Sequence, residues 1–279
     1  MVVTSRALSQ APSPSAASTT AWQTPLSWGL TSAYLSLVVL IPIAALVGQA
    51  TGAWQQGAWA ALSSPQTLAA LELTVGLSAV VALVNVVVGT ATAWVLIRDR
   101  FPGRALIDAA IDLPLALPTI VAGLTLVALY GPRSPIGANI AYTRWAILLA
   151  LLFVTLPFVV RAVQPVIHGL DAEVEEAAHV LGARGWIVFR RVVLPELLPA
   201  LLSGGVLGFA RALGEYGSVV LLSGNLPFST QVASVYIYGE VEQGSAGNAA
   251  AISLSLLILT LLVLFVVDLV QRRWVAHEN

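Results

Sequence analysis

The stretch that decides the fold is LAALELTVGLSAVVALVNVVVGTATAWVLI, residues 68–97, in which a single carboxylate interrupts a long run of apolar and small side chains. A helix of about 20 residues is needed to cross a hydrocarbon core about 30 Å thick. The run is continuously apolar and does not alternate as the strands of a membrane barrel do. Because backbone groups in lipid must be hydrogen-bonded within the segment, the stretch predicts a membrane-spanning helix.

Further apolar runs of similar length surround this stretch, and the residues between them carry nearly all the charge. The chain has 279 residues, of which 58% are hydrophobic and 10% are charged, with a mean hydropathy of +0.87. Soluble domains carry roughly 25% charged residues. The sequence therefore predicts an all-α polytopic membrane protein with six transmembrane helices, at 28–49, 68–97, 105–130, 146–164, 199–222 and 248–270.

The arginines indicate how these helices are oriented. With the N-terminus inside, the outer loops hold only Arg133 and Arg144, and Arg211 falls within a span. Short cytoplasmic loops of membrane proteins are enriched in basic residues. The chain is therefore predicted to be a multi-pass protein of the bacterial inner membrane, with both termini cytoplasmic. The cytoplasmic arginines are then Arg6, Arg98, Arg100, Arg104, Arg161, Arg184, Arg190, Arg191, Arg272 and Arg273.

Composition predicts three regions and excludes several functions. Residues 1–27 are rich in Ser, Thr, Ala and Pro and predict a flexible cytoplasmic tail, followed by a transmembrane domain at 28–273 and a short tail at 274–279. Without cysteine or lysine, the chain has neither a cysteine-ligated metal site nor a GxxxxGK[ST] nucleotide loop. No catalytic constellation converges, so we expect no enzyme and no cofactor bound by this chain. A net charge of −1 argues against nucleic-acid binding.

The longest cytoplasmic connection, residues 165–198, includes the sequence LDAEVEEAAHVLGARGWIVFRRVVLPELLP. Asp171 is suited to cap the start of a helix, and the glutamates that follow favour its positive end. Gly182 is suited to end that helix, and a second short helix is predicted from about Arg184. Two short helices joined by a glycine turn form a compact element that is typical of a docking surface.

This connection resembles the EAA loop of ABC-importer permeases. An EAA triplet is followed by three residues, a glycine, nine residues and Val-x-Leu-Pro, with valine in place of the usual isoleucine. The resemblance implies a type I importer permease with a MetI-like fold, coupled to a separate ATPase that binds ATP and Mg. Trp186 is a candidate contact, although tryptophan is also common at membrane interfaces. The residues assigned to coupling are Glu176, Ala177, Ala178, Gly182, Trp186, Val192, Leu194 and Pro195.

Three more stretches resemble the T-type subunit of sulfate/thiosulfate permeases: IDLPLALPTIVAGLTL at 111–126, LPFVVRAVQPV at 156–166 and FARALGEYGSVVLLSGNLPFSTQVAS at 209–234. The ARALGEYG segment is also similar to molybdate permeases, so import of molybdate or tungstate is the alternative. The resemblance implies a paralogous permease subunit, two copies of an ATPase and an extracytoplasmic sulfate-binding protein as partners. A self-sufficient secondary transporter or channel is the alternative from another class, and such a protein would need no ATPase dock.

Arg211 is the candidate residue of the anion route. It lies about 12 residues into the fifth predicted span, or roughly 18 Å at the helical rise per residue. An arginine at that depth needs a partner, and Glu215 is four residues further along the predicted helix. The pair is either a closed structural lock or, with Ser218, part of a substrate pathway or gate.

Two prolines mark the third predicted span. Pro114 and Pro118 remove helical donors and predict a bend or inner gate near its cytoplasmic end. The preceding Asp108 and Asp112 are predicted to be interface or helix-end groups. In the outer loop 223–247, the segment STQVASVYIYGEVEQ predicts a short surface helix, which either covers the bundle or meets an extracytoplasmic partner.

Overall fold

The computed structural model describes residues 23–55 and 58–275, and these residues form helices and no strands. Two stretches are π-helical turns, Ser36–Leu40 and Phe189–Val193. The helices are α1 (Gln23–Leu35), α2 (Ile41–Gln55), α3 (Ala58–Leu62), α4 (Pro65–Arg98), α5 (Arg104–Ile111), α6 (Leu113–Ala116), α7 (Thr119–Tyr130), α8 (Arg144–Gly169), α9 (Ala172–Val180), α10 (Gly185–Val188), α11 (Leu194–Leu213), α12 (Gly217–Ser223), α13 (Ala233–Glu242) and α14 (Ala246–Val275).

The described residues up to Leu46 form one unit, and those from Val47 onward form a second. In the first unit, the helix begins at Gln23, inside the stretch predicted as a tail. The predicted tail residues 1–22 and 276–279 lie outside the described residues. In the second unit, α14 continues to Val275 and so includes the first residues of the predicted C-terminal tail.

Five helical stretches are long and apolar enough to cross a membrane. Four of them confirm predicted spans in place, and Gly185–Leu213 overlaps only part of the predicted span 199–222. The five stretches are Ser27–Trp54, Pro65–Arg98, Arg144–Gly169, Gly185–Leu213 and Ala246–Leu269. The outer-loop prediction is also confirmed, since α13 lies within the segment expected to be helical.

The third predicted span is not a continuous helix. Its two arms, Arg104–Ala116 and Thr119–Tyr130, are bent by 114° relative to a straight helix. Leu117 has an extended backbone, with ψ 137°, because the ring of the following Pro118 disfavours helical geometry in the residue before it. The two prolines therefore correctly predicted a bend in this span, but the bend is a sharp break between two helices and not a kink within one.

The fifth predicted span differs at both ends. Helix α11 stops at Leu213 with Gly214 as its C-cap, well short of the predicted residue 222, and α12 forms a separate helix. At its N-terminal end, the predicted second loop helix is not separate, because α10 and α11 are continuous through a π-helical turn. The wider turn comes just before Pro195, whose ring in a regular α-helix would clash with the carbonyl four residues earlier. Since α8 extends to Gly169, the non-membrane loop is shorter than predicted.

Helices α4, α8 and α11 pack against one another through small residues. A Cβ atom on Gly89 of α4 or on Gly204 of α11 would lie 3.0 Å from atoms of Val159 on α8. The buried Asn85 side chain of α4 donates to Thr155 Oγ1 of α8 at 2.9 Å. Close backbone approach and interhelical hydrogen bonds hold helices together in lipid, where the hydrophobic effect does not.

Helices α7 and α12 are packed even more tightly. A Cβ atom on Gly123 would lie 2.7 Å from the backbone oxygen of Ser218, and one on Gly217 would lie 2.1 Å from Thr119 Oγ1. The two short helices are therefore in direct backbone contact, and the break in the third span lies beside the break in the fifth.

We expect Gly123→Ala to lower the thermal stability of the protein, because the added methyl group meets backbone that cannot move aside. Overpacking of this kind costs about 1–3 kcal/mol. The control is Gly76→Ala in α4, where nothing lies within 4 Å of the added Cβ and alanine is the better helix former. Unfolding followed by tryptophan fluorescence in detergent measures both, and equal melting temperatures would contradict the contact.

Candidate functional site

The loop between α8 and α10 contains one well-capped helix, α9. As predicted, the Asp171 carboxylate accepts the N–H of Glu173 at 2.9 Å and caps the N-terminus. At the other end, Gly182 has a φ of +85° and donates to the carbonyl of His179, while Ala183 donates to that of Ala178. This is a Schellman ending, in which glycine is favoured because other residues are strained at positive φ.

The predicted coupling residues fall into two groups. Glu176, Ala177, Gly182 and Trp186 are exposed, whereas Ala178, Val192, Leu194 and Pro195 are half-buried. Sequence reasoning missed Val180 and Leu181, which are each 88% exposed beside the glycine turn. The signal available was the pair of large apolar side chains directly before Gly182. Together with Trp186 they leave the loop with an uncovered apolar surface, which is typical of an interaction site.

Charge and aromatic contacts tie this loop to the C-terminal end of α4. Glu175 of α9 forms an ion pair with Arg98, and the Arg98 guanidinium lies 5.0 Å from the ring centroid of Trp94. Trp186 stacks on Phe189 with ring centroids 5.6 Å apart, and Phe189 meets the Trp94 ring at 6.1 Å. The loop is therefore positioned relative to the spans from both of its ends.

The three residues predicted for the substrate pathway come together at the break in the fifth span. Arg211 Nη2 lies 2.9 Å from Glu215 Oε2, and Glu215 Oε1 accepts from the Ser218 N–H at 2.9 Å and from its hydroxyl at 3.0 Å. The predicted Arg211–Glu215 pair is present, but it does not lie along one continuous helix. Helix α11 has already ended, and Glu215 reaches back across the Gly214 cap.

Arg211 and Glu215 differ sharply in how much of each side chain is exposed. The Glu215 side chain is 1% exposed, whereas the Arg211 side chain is 37% exposed. A carboxylate this deeply buried requires a counter-charge and hydrogen-bond donors, which Arg211 and Ser218 supply. The open part of the guanidinium remains accessible to an anion. The geometry is therefore compatible with both interpretations of the pair.

A second charged cluster was not predicted. All five N–H groups of Arg161 in α8 are engaged by two aspartates and Gln164. The Asp112 carboxylate accepts from Nε at 2.8 Å and from Nη2 at 2.6 Å, and Asp108 Oδ1 accepts from Nη1 at 2.7 Å. Asp112 lies at a helix end, as predicted, since it is the C-cap of α5. Both aspartates also form ion pairs with Arg161, which were not predicted. They fasten the first arm of the broken span to α8, and their i, i+4 spacing was the available signal.

Comparisons with known proteins agree with this architecture. A family model described as "Binding-protein-dependent transport system inner membrane component" matches residues 85–276. The "Sulfate transport system permease protein CysT" of Synechococcus elongatus is 45% identical over 267 residues, 92% of this chain and 96% of that protein. The CysT protein of Escherichia coli is 42% identical over 257 residues, 89% of this chain and 92% of its own length.

Solved structures show the same fold at lower identity. A chain from a bacterial ABC transporter involved in the import of the acidic polysaccharide alginate aligns with a TM-score of 0.74 and 19% identity, over 90% of this chain and 96% of its own. A chain of the MetNI methionine ABC transporter in an inward-facing conformation aligns with a TM-score of 0.57 and 19% identity, over 74% of this chain and 94% of its own.

The spans, the projecting loop and these matches define a permease subunit of an ABC importer, which is a transport component and not an enzyme. The chain belongs to the family of binding-protein-dependent transport system inner membrane components. The predicted all-α, MetI-like permease fold is thereby confirmed.

We expect Arg211→Ala to lower thermal stability and abolish transport, because it leaves the buried Glu215 carboxylate without its counter-charge. The double variant Arg211→Ala/Glu215→Gln should regain stability, since a neutral amide still accepts the hydrogen bonds from Ser218. Unfolding temperatures and uptake by reconstituted vesicles measure both effects.

The same variants separate the two interpretations of the pair. If the pair only locks the bundle, uptake returns with stability in the double variant. If Arg211 serves the pathway, the stable double variant remains inactive while Glu215→Gln alone keeps some uptake. A double variant as unstable as Arg211→Ala would contradict the burial argument itself.

Proposed function

We propose that this chain is the permease subunit of an ABC importer that carries sulfate into the cytoplasm. The assignment of sulfate as the substrate rests on the match to sulfate permeases over nearly the whole length of this chain, at 45% and 42% identity to two of them. The region that the family model matches, residues 85–276, includes both charged clusters and the cytoplasmic loop. Thiosulfate is a second substrate that the same family resemblance implies, and molybdate is the alternative oxyanion.

The route for the anion is proposed to pass the junction of the two broken spans. Non-helical backbone at membrane depth is tolerated only where protein surrounds it or where it lines a water-filled cavity. Here the start of α7 lies against the start of α12, and Arg211 stands at the end of α11 beside this junction. Its exposed guanidinium supplies the positive potential that a divalent oxyanion requires inside a bilayer.

Coupling is proposed to run through the exposed apolar surface of the cytoplasmic loop. Val180, Leu181 and Trp186 would be covered by a separate ATPase subunit, which binds ATP and Mg and of which the assembly holds two copies. Movement of that subunit would reach the membrane by two connections. One is the Arg98–Glu175 ion pair to α4, and the other is the uninterrupted helix Gly185–Leu213.

The remaining partners are proposed to be a paralogous permease subunit and an extracytoplasmic sulfate-binding protein, with both termini of this chain in the cytoplasm. The outer loop offers a surface for the binding protein. Phe228 is 61% exposed and has a φ of +61°, which is strained for an aromatic residue. Arg144 Nε holds this loop by donating to the Ser229 carbonyl at 2.9 Å. Neighbouring Leu226 is 48% exposed.

We expect Gly182→Asp to uncouple ATP hydrolysis from transport while leaving membrane insertion intact. A side chain at this positive φ costs about 1–2 kcal/mol and distorts the turn that presents the apolar surface. Gly185→Asp is the matched control, because Gly185 lies in the same loop with ordinary backbone geometry and open space around its Cβ. Uptake and ATPase activity in vesicles containing the full transporter measure the effect, and normal uptake by Gly182→Asp would count against it.

Radiolabelled sulfate uptake tests the function directly, in cells lacking this gene and in cells with it restored. ATP-dependent uptake that returns with the gene, and that thiosulfate but not phosphate inhibits, is the expected result. Loss of molybdate uptake with normal sulfate uptake would move the substrate to the alternative oxyanion. Uptake that depends on an ion gradient and is indifferent to ATP would overturn the proposal.

A further inference from the structure

A basic cavity of about 380 Å³ lies where three segments of the chain meet, away from the Arg211 site. Its polar lining consists of Arg98, Arg100, Arg104 and His168. These residues belong to the end of α4, the loop after it, the first turn of α5 and the last turn of α8. Arg211 lies near the opposite end of the continuous helix Gly185–Leu213 from Phe189. The Phe189 ring contacts Trp94, one turn before Arg98 of this cavity.

The charge of this cavity is only partly compensated. Within the described residues, Arg98 has Glu175 as an ion-pair partner, whereas no carboxylate lies within ion-pair distance of Arg100 or Arg104. Orientation of a membrane protein requires basic residues in cytoplasmic loops, but it does not require them to face one cavity. Guanidinium groups gathered in this way repel one another, and a bound anion relieves that repulsion.

The backbone adds to the positive potential. Helix α5 begins after Gly103, which has a φ of +83° and no side chain to cap the first turn. The N–H groups at the start of an uncapped helix favour an anion. Arginine side chains bind tetrahedral oxyanions through paired, charge-assisted hydrogen bonds.

We propose that this basic cavity binds a tetrahedral oxyanion at the cytoplasmic side of the protein. The ligand is a sulfate or phosphate ion, or the phosphate of a lipid headgroup, and all three share the chemistry that the arginines recognise. Because Arg98 both lines the cavity and pairs with Glu175 of α9, a bound anion competes with that carboxylate. Occupancy of the cavity therefore weakens the tie between the coupling loop and α4.

Binding is tested with the full-length chain in nanodiscs. Sulfate and phosphate are titrated by calorimetry in discs of neutral phosphatidylcholine, and native mass spectrometry compares lipid retained from discs with and without phosphatidylglycerol. Arg100→Gln removes one unpaired cavity arginine, and Arg133→Gln is the matched control, which removes an exposed arginine from an outer loop.

The expected result is saturable binding that Arg100→Gln weakens about tenfold, the effect of losing one charge-assisted hydrogen bond, and that Arg133→Gln leaves unchanged. Binding of the free ions in neutral discs identifies a soluble ion as the ligand. Selective retention of phosphatidylglycerol without ion binding identifies the lipid headgroup.

The proposal is overturned if neither the free ions nor phosphatidylglycerol bind, or if Arg100→Gln and Arg133→Gln weaken binding equally. The binding experiment does not depend on the proposed role in sulfate import, because binding is measured without transport. A chain that restores sulfate uptake but binds no oxyanion here would refute only the cavity.

Discussion

Close contact between helices at Val159 is the constraint on which the rest of the structure depends. Helices in lipid gain little from burying apolar surface, so they associate where small residues let their backbones approach. Val159 occupies the space left by Gly89 of α4 on one side and by Gly204 of α11 on the other. Helix α8 is thereby fixed at the centre of the bundle, and a larger residue at either glycine would separate all three helices.

The charged groups are arranged around this central helix. Arg161 on α8 holds the first arm of the broken span through Asp108 and Asp112. The second arm, α7, reaches the start of α12 by backbone contact, and there Glu215 satisfies the first turn of α12 through Ser218. Each interruption of a helix at membrane depth is therefore matched by a polar side chain or a close backbone neighbour, as the absence of water requires.

The parts of the fold that depend on local sequence were predictable. The apolar run at 68–97 became α4, and the cap at Asp171 and the turn at Gly182 formed where helix-end chemistry predicts them. The EAA spacing within the loop identified the family, because the docking element is encoded in one short segment.

The parts that depend on distant residues were not predictable. Hydropathy does not register the end of α11 at Gly214, because the largely apolar helices α11 and α12 flank it closely and read as one apolar run. The two prolines predicted a bend, but its angle is determined by the packing of Gly123 on Ser218, which is far along the chain. The partners of Arg161 and the lining of the basic cavity likewise come from separate segments, and no local pattern shows that they meet.

The absence of a joint between α10 and α11 has a mechanical consequence. At 1.5 Å per residue, the helix Gly185–Leu213 is about 42 Å long, with Gly204 about 28 Å from the loop end and about 10 Å from Arg211. A tilt of about 10° around Gly204 therefore displaces the loop end by about 5 Å and Arg211 by about 2 Å. A helix that moves as one body acts as a lever, and its pivot is the close contact of α8 with Gly204. A small displacement of the loop end would then move Arg211 in the opposite direction without any change in the helix itself.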